Sequence, residues 1–267
     1  MSRTIAIAGM GWLGRPLAQK LKTLGFEVKG SVTKLDKAIS LKKNGFEVHL
    51  ITISEGGVFG NIQEFLDEVD DLVVMIPPGL GRNTGSDYVL KMSHFLTEVE
   101  KFPITHCIFV SSISVYGDGQ GLVTEKDLPH PDNEVGRQLF QVEQLFLNSA
   151  CKTSIVRFGG LFGGSRQPAR YLAGRENLMG GNAPVNLIHR KDCIGIISEI
   201  IKQQAYGQIF NAVNPEHPLK RDYYYHRSVE LGLSEPRFSI SDQTEIFKQV
   251  DSVNLSTILG YTFSNPL

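Results

Sequence analysis

TIAIAGMGWLG, residues Thr4 to Gly14, is the stretch whose reading decides the fold. A short β-favouring run, Thr4 to Ala8, passes directly into glycines spaced as G-x-G-x-x-G at Gly9, Gly11 and Gly14. The periodicity then changes. Leu13, Leu17, Leu21 and Leu24 fall at i, i+4, i+8 and i+11, a single apolar stripe of a helix that Gly25 ends. A glycine loop between a strand and a helix has a physical meaning. Its first glycine permits a tight turn, its second lets the backbone approach a pyrophosphate, and its third lets helix and strand pack closely. The helix N-terminus then offers amide donors and positive potential to an anion.

Working outward, the same rhythm repeats. FEVKGSV reads as a second strand, Asp36 to Lys43 as a helix, and FEVHLITI as a third strand. Ile62, Phe65, Leu66 and Val69 make a helical stripe before the strand DLVVMI; Met92, Phe95, Leu96 and Val99 make another before HCIFVSS. Strands apolar on both faces and alternating with helices predict an α/β fold, a Rossmann-type doubly wound parallel sheet with right-handed crossovers. Further on, SIVRF, NLIH and QIFNAV read as strands, with a helix from Asp192 to Gln203. Segments rich in Gly, Arg and Tyr interrupt them and predict a small discontinuous C-terminal substrate lobe. The expected division is residues 1–157 and 185–213 for the nucleotide-binding domain, and 158–184 and 214–267 for the lobe.

Composition narrows the class. With 267 residues, 41% apolar and 21% charged, the chain has enough material for one large α/β unit. A net charge of −1 argues against a nucleic-acid surface. Cys107, Cys151 and Cys193 lack C-x-x-C spacing and read as reduced, buried thiols. No leader and no apolar run of membrane-spanning length is evident, so a cytoplasmic protein without membrane contact is expected.

The choice of dinucleotide rests on the end of the second strand, where NAD sites carry an acid that accepts the ribose hydroxyls. Here the sequence is SVTKLD: Ser31, Thr33 and Lys34, with Asp36 expected to cap the next helix. Lys34 and the hydroxyls suit a 2′-phosphate, which a carboxylate would repel. NADP is expected and NAD remains the alternative; Arg15 adds charge beside the loop.

VSSISVYG, Val110 to Gly117, ends an apolar strand in hydroxyls. Together with GMGWLG, RFGGLFGGSRQPARYLAGR, NLIHRKDCIGII and FNAVNPEHP, it resembles the short-chain dehydrogenase/reductases, specifically an atypical member of the extended, nucleotide-sugar epimerase/dehydratase-like branch. The resemblance spans nearly the whole chain. It implies NAD(P) lying across the sheet, extends the cofactor contacts to Trp12, Leu13, Pro77 and Ser111, and gives Ser112 the role of orienting the substrate oxygen. It also implies a Tyr-x-x-x-Lys pair on the following helix, as acid/base and pKa-lowering partner. Matching the G-R-x-L-x-x-x-E pattern instead places Val135 and Leu139 there, on the apolar stripe Val135, Leu139, Val142 and Phe146. Neither moves a proton.

Tyr116, four residues after Ser112, is the substitute catalytic candidate, although its place in the V-Y-G turn favours a loop-anchoring role; Arg137, Gln141, Lys126 and Asp127 read more simply as solvated groups. Arg166, Arg170 and Tyr171 are expected to hold an anionic, possibly nucleotide-linked substrate, because guanidinium groups grip phosphate or carboxylate bidentately; Asn186 joins them. His189, Asp192 and Cys193 have ligand-like spacing without a second cluster, so no metal is expected. YYYHR, Tyr223 to Arg227, reads as helix packing. The sequence therefore predicts an NAD(P)-dependent oxidoreductase or nucleotide-sugar epimerase/dehydratase-like protein acting on a small polar, anionic molecule. The alternative is a catalytically silent NAD(P)-binding redox sensor or regulator, and a further one is a Rossmann unit whose glycine loop holds nothing. A homodimer is compatible with the apolar stripe.

Overall fold

The computed structural model describes residues 2–79, 86–239 and 246–267. From the N-terminus, β1 (Thr4–Ala8), α1 (Gly14–Thr23), β2 (Glu27–Val32), α2 (Leu35–Lys43), β3 (Glu47–Ser54), β4 (Gly57–Gly60) and α3 (Ile62–Leu66) build the first half. Then β5 (Asp71–Val74), α4 (Tyr88–Val99), β6 (His106–Ser112), β7 (Gly121–Val123), α5 (Glu134–Leu147), β8 (Lys152–Phe158), β9 (Gly160–Phe162) and α6 (Ala169–Leu172) follow. The remainder holds β10 (Leu187–His189), α7 (Arg190–Gln203), β11 (Ile209–Ala212), α8 (Lys220–Glu230), β12 (Lys248–Val250) and α9 (Asn254–Thr257).

Eight strands form one sheet in the order β11-β8-β6-β5-β1-β2-β3-β4. All neighbours are parallel except β4, which closes the edge antiparallel to β3. Both faces of the strands are covered, so alternate residues of β1 enter different cores. Ile5 and Ile7 pack with α1, α2 and α7, whereas Ala6 and Ala8 pack with α3, α4 and α5. Chain direction across the sheet reverses between β1 and β5. A crevice must open there above the carboxyl ends of the strands.

The expected parallel sheet and its helices are present, with local corrections. Asp36 does not cap α2: Lys34 occupies the N-cap position and Asp36 is the second residue of the helix, within its first turn, its charge complementing the helix dipole instead. The stripe through Val69 overruns its helix, because α3 stops at Leu66 and Asp67 is extended. Gly56 to Gly60, which has no strand pattern, supplies β4. Beyond the main sheet, β9 pairs with β10 and β7 with β12, both parallel. The YYYHR segment lies in α8, as packing, with Tyr223 buried.

The metal-like spacing around α7 resolves into three separate jobs. His189 caps α7, its Nδ1 accepting from the Lys191 amide at 3.3 Å. Its imidazole is pushed below the ordinary histidine value by desolvation, with Asp192 acting in the opposite sense. The buried Asp192 carboxylate instead collects the end of the chain, accepting from the Tyr261 hydroxyl at 3.1 Å, the Ser264 amide at 3.0 Å and the Asn265 amide group at 2.9 Å. Cys193 is fully buried in the core.

Candidate functional site

The glycine loop sits at the β1/β5 reversal. Gly9 has φ of +113°, a value side chains resist, and the Met10 amide donates to the Ser31 carbonyl at 2.8 Å, tying the loop to β2. A Cβ on Gly14 would overlap the Gly9 carbonyl oxygen, so the close approach of α1 to β1 requires glycine. Gly11 is different. Its φ is unexceptional, and the nearest atom to a Cβ placed there is the Gly9 carbonyl oxygen, 4.0 Å away. Nothing in the protein's own packing demands glycine at position 11. What its missing side chain leaves is open space over the loop, on the path a pyrophosphate takes.

Three depressions meet at this loop. One, of about 470 Å³, is lined by Gly9, Gly11, Ser31, Thr33, Lys34, Lys37, Ile51 and Pro77, among others. Apolar Ile51 and Ile53 with hydroxyls and two lysines above β2 suit an adenosine and its ribose. A second, of about 680 Å³, runs over the outer side of α1 past Trp12, Arg15, Lys37 and Arg190; none of its lining residues is acidic. Among the described residues, neither Lys34 nor Lys37 has a carboxylate partner.

The third, of about 440 Å³, lies over the ends of β5 and β6. Gly9, Gly11 to Gly14, Met75 to Pro78, Val110 to Ser112, Ser114, Phe158, Leu161 and Arg166 contribute to its walls. Ser112 ends β6, and its Oγ accepts from the Ser114 amide at 3.2 Å and lies 2.9 Å from Ser114 Oγ. Ser111, 5% exposed, faces the same space, and its hydroxyl is buried without a hydrogen-bond partner. A buried hydroxyl left unpaired costs stability unless something outside the chain pairs with it. The N-terminal turn of α5 brings Val135 and Leu139 into this wall, so apolar side chains line the site where the resemblance implies tyrosine and lysine. No tyrosine anywhere in the chain is followed four residues later by lysine.

The other expected site residues divide. Trp12 and Leu13 line the cleft beside the glycines, and Thr33, Lys34 and Pro77 line its adenosine end. Tyr116 is not brought to Ser112's cleft. It is fully buried, its hydroxyl receiving a hydrogen bond from Arg157 at 2.6 Å and lying 3.0 Å from the Thr124 carbonyl and 3.1 Å from Asn211 Oδ1. Burial pushes its phenol above the ordinary tyrosine value, the Arg157 charge opposing the rise. The V-Y-G tyrosine therefore anchors the loop. Asn186 is likewise engaged internally: its side chain donates to the Lys248 carbonyl at 2.7 Å and accepts from the Val250 amide at 2.8 Å, pinning β12.

Arg166 faces the cleft with its guanidinium carbon 4.7 Å from the centre of the Trp12 ring, while Arg170 and Tyr171 on α6 are exposed. Sequence reasoning missed Lys37 and Arg190. Lys37 had a readable signal, one helical turn beyond Lys34; Arg190 had none, since only the fold brings α7 to the glycine loop.

No family model matches the chain. Protein YeeZ of Escherichia coli K12 is 31% identical over 266 residues, covering 99% of this chain and 97% of its own. Among solved structures, a UDP-glucuronic acid 4-epimerase from Bacillus cereus, in complex with UDP-glucuronic acid and NAD, superposes with a TM-score of 0.79 at 20% identity, covering 98% of this chain and 95% of that one. A short-chain dehydrogenase/reductase superfamily protein from Agrobacterium tumefaciens with bound NAD gives 0.75 at 16% identity, covering 99% and 93%. The chain thus belongs to the family of YeeZ, built on the fold shared by short-chain dehydrogenase/reductases and nucleotide-sugar epimerases.

Proposed function

We propose that the protein binds NADP across the β1/β5 crevice and passes hydride between its nicotinamide and a small polar, anionic, possibly nucleotide-linked substrate. The observation that carries this is Gly11, a glycine with no internal reason to be one, facing the crevice where a pyrophosphate would lie. The unpaired Ser111 hydroxyl and the NAD complexes of proteins with this fold support it. In this reading the loop amides and the α1 N-terminus hold the diphosphate. Lys34 and Lys37 hold the 2′-phosphate, with Arg15 nearby. Ser112 orients the reacting oxygen. Val135 and Leu139 line the wall beside that oxygen, and proton exchange there falls to solvent, because among the described residues no Asp, Glu, His, Lys, Tyr or Cys side chain lines this cleft. Residues 158–184 and 214–267 form the substrate lobe, and the buried free thiols fit the cytoplasm.

The same two apolar residues favour a second reading, a dinucleotide-binding regulator without turnover. Both readings share the cofactor site, so it is tested first. Direct titration of the purified protein with NADPH and NADH should show tighter NADPH binding. Lys34→Glu should weaken NADPH by about 10-fold or more, since a charged hydrogen bond contributes about 1.5–3 kcal/mol, and leave NADH unharmed. Equal affinity for both nucleotides, unmoved by the substitution, would exclude NADP selectivity. A substrate screen with Ser112→Ala as control then separates enzyme from regulator, and light scattering reports whether the protein is a homodimer.

A further inference from the structure

Two guanidinium groups lie against the Trp12 indole. Arg166 Cζ is 4.7 Å from its ring centre and Arg190 Cζ is 4.9 Å away. The two arginines come from distant parts of the chain, one from the turn after β9 and one from the first residue of α7. Among the described residues neither has a carboxylate partner. Two cations collected on one ring without a counter-charge repel each other, so the arrangement is incomplete as an internal structure. Nor is the indole N–H satisfied: it is buried with no acceptor. Trp12 is itself part of the glycine loop, directly after Gly11, so both cations are stationed at the path assigned to the diphosphate. Arg166 also lines the same cleft as the unpaired, 5% exposed Ser111.

We infer that Arg166 is a diphosphate-binding residue, not a substrate residue. It rests on Trp12 and engages the phosphates of a bound dinucleotide together with the loop amides, while Arg190 packs against the same indole. A planar guanidinium offers two parallel N–H donors to a phosphate, a geometry that lysine lacks. This inference rests on the dinucleotide reading above and deepens it.

The test uses ligands that dissect the dinucleotide: NADPH, NADH, ADP-ribose, which keeps the diphosphate and lacks the nicotinamide, and adenosine 2′-monophosphate, which lacks the diphosphate. Arg166→Ala should weaken NADPH, NADH and ADP-ribose alike, each by about 10-fold, and leave adenosine 2′-monophosphate unchanged. Arg166→Lys should recover only part of the loss. Trp12 is the single tryptophan of the chain, so its emission reports the cation directly. ADP-ribose should change that emission in the unsubstituted protein and not in Arg166→Ala. Arg166 is exposed, and a melting curve confirms that the variant folds. Affinity for NADH and ADP-ribose preserved within twofold in Arg166→Ala overturns the inference alone. A loss confined to NADPH and adenosine 2′-monophosphate does so too, moving Arg166 to the 2′-phosphate. No affinity of the unsubstituted protein for any dinucleotide removes the inference and the cofactor reading together.

Discussion

At the scale of single residues, the three glycines of one loop have three different causes, and substitution separates them. Gly14 is fixed by packing, since a methyl group there would press on the Gly9 carbonyl, a backbone atom unable to swing aside. Gly14→Ala should therefore destabilise the fold by more than about 2 kcal/mol in urea unfolding. Gly11 is fixed by nothing inside the protein. Gly11→Ala should leave stability unchanged or raise it by up to about 1 kcal/mol, because alanine narrows the unfolded ensemble. Its dinucleotide affinity should still fall by at least about 10-fold, a methyl group occupying the space of the phosphates. A Gly11→Ala variant that binds normally would remove the main support for the cofactor site. The glycine spacing and the Ser112 position were legible in sequence because each is a local pattern of type and spacing. The anchoring role of Tyr116 was legible in the V-Y-G turn, but its partners and those of Asn186 were not, since a polar residue beside a site looks the same whether it serves a ligand or a buried neighbour. Only their partners, Arg157 for one and the β12 backbone for the other, decide.

At the scale of elements, α5 shows what becomes of a helix relieved of acid/base work. Its inward face buries Leu139, Val142 and Phe146 against the sheet, and the same face carries Glu143, which is fully buried. Glu143 meets Arg157 of β8 through a forked contact, Nε to Oε1 at 3.0 Å and Nη2 to Oε2 at 2.7 Å, while the remaining Arg157 nitrogen holds Tyr116. Helix, strand and V-Y-G loop are joined by one buried cation. Most of the apolar stripe is used inside the chain, and the exposed residues of α5 are the polar Glu134, Arg137, Gln141 and Gln144 and the apolar Leu147. Breaking the pair from one side strands a charge in the core, and Arg157→Met should cost about 3–5 kcal/mol of unfolding free energy. Adding Glu143→Leu should return most of that loss, as replacement of a whole buried pair by apolar groups is often near neutral. If the double variant is no more stable than the single, the pair is not what the network depends on. Long periodic elements such as β1, α1, β6 and α5 announced themselves in sequence. Of the elements of three or four residues, β5, β10 and β11 were legible because apolar residues mark them, whereas β4, β7, β9 and β12 were not, because runs that short carry no period of their own.

At the scale of the whole molecule, the crevice is bounded by the ends of β1, β2, β5 and β6, strands from both sides of the chain reversal. The two apolar cores lie on opposite faces of that one sheet, and the buried Asp192 ties the chain end back to α7. A dinucleotide seated there touches elements that must all fold together, so its binding energy is added to the entire structure and not to a detached lobe. At a free concentration of 100 times Kd, NADPH should therefore stabilise the protein by about 2.7 kcal/mol. For a chain of this size that corresponds to a rise of about 5–10 °C in the midpoint of a single thermal transition. The comparison with Gly11→Ala fixes the origin of the rise, since that variant keeps the fold and, binding at least about 10-fold more weakly, should show about half of it or less. Two transitions, of which NADPH moves only one, would mean that the segments around α6 and α8 melt apart from the sheet. The cofactor's grip would then end at the loop.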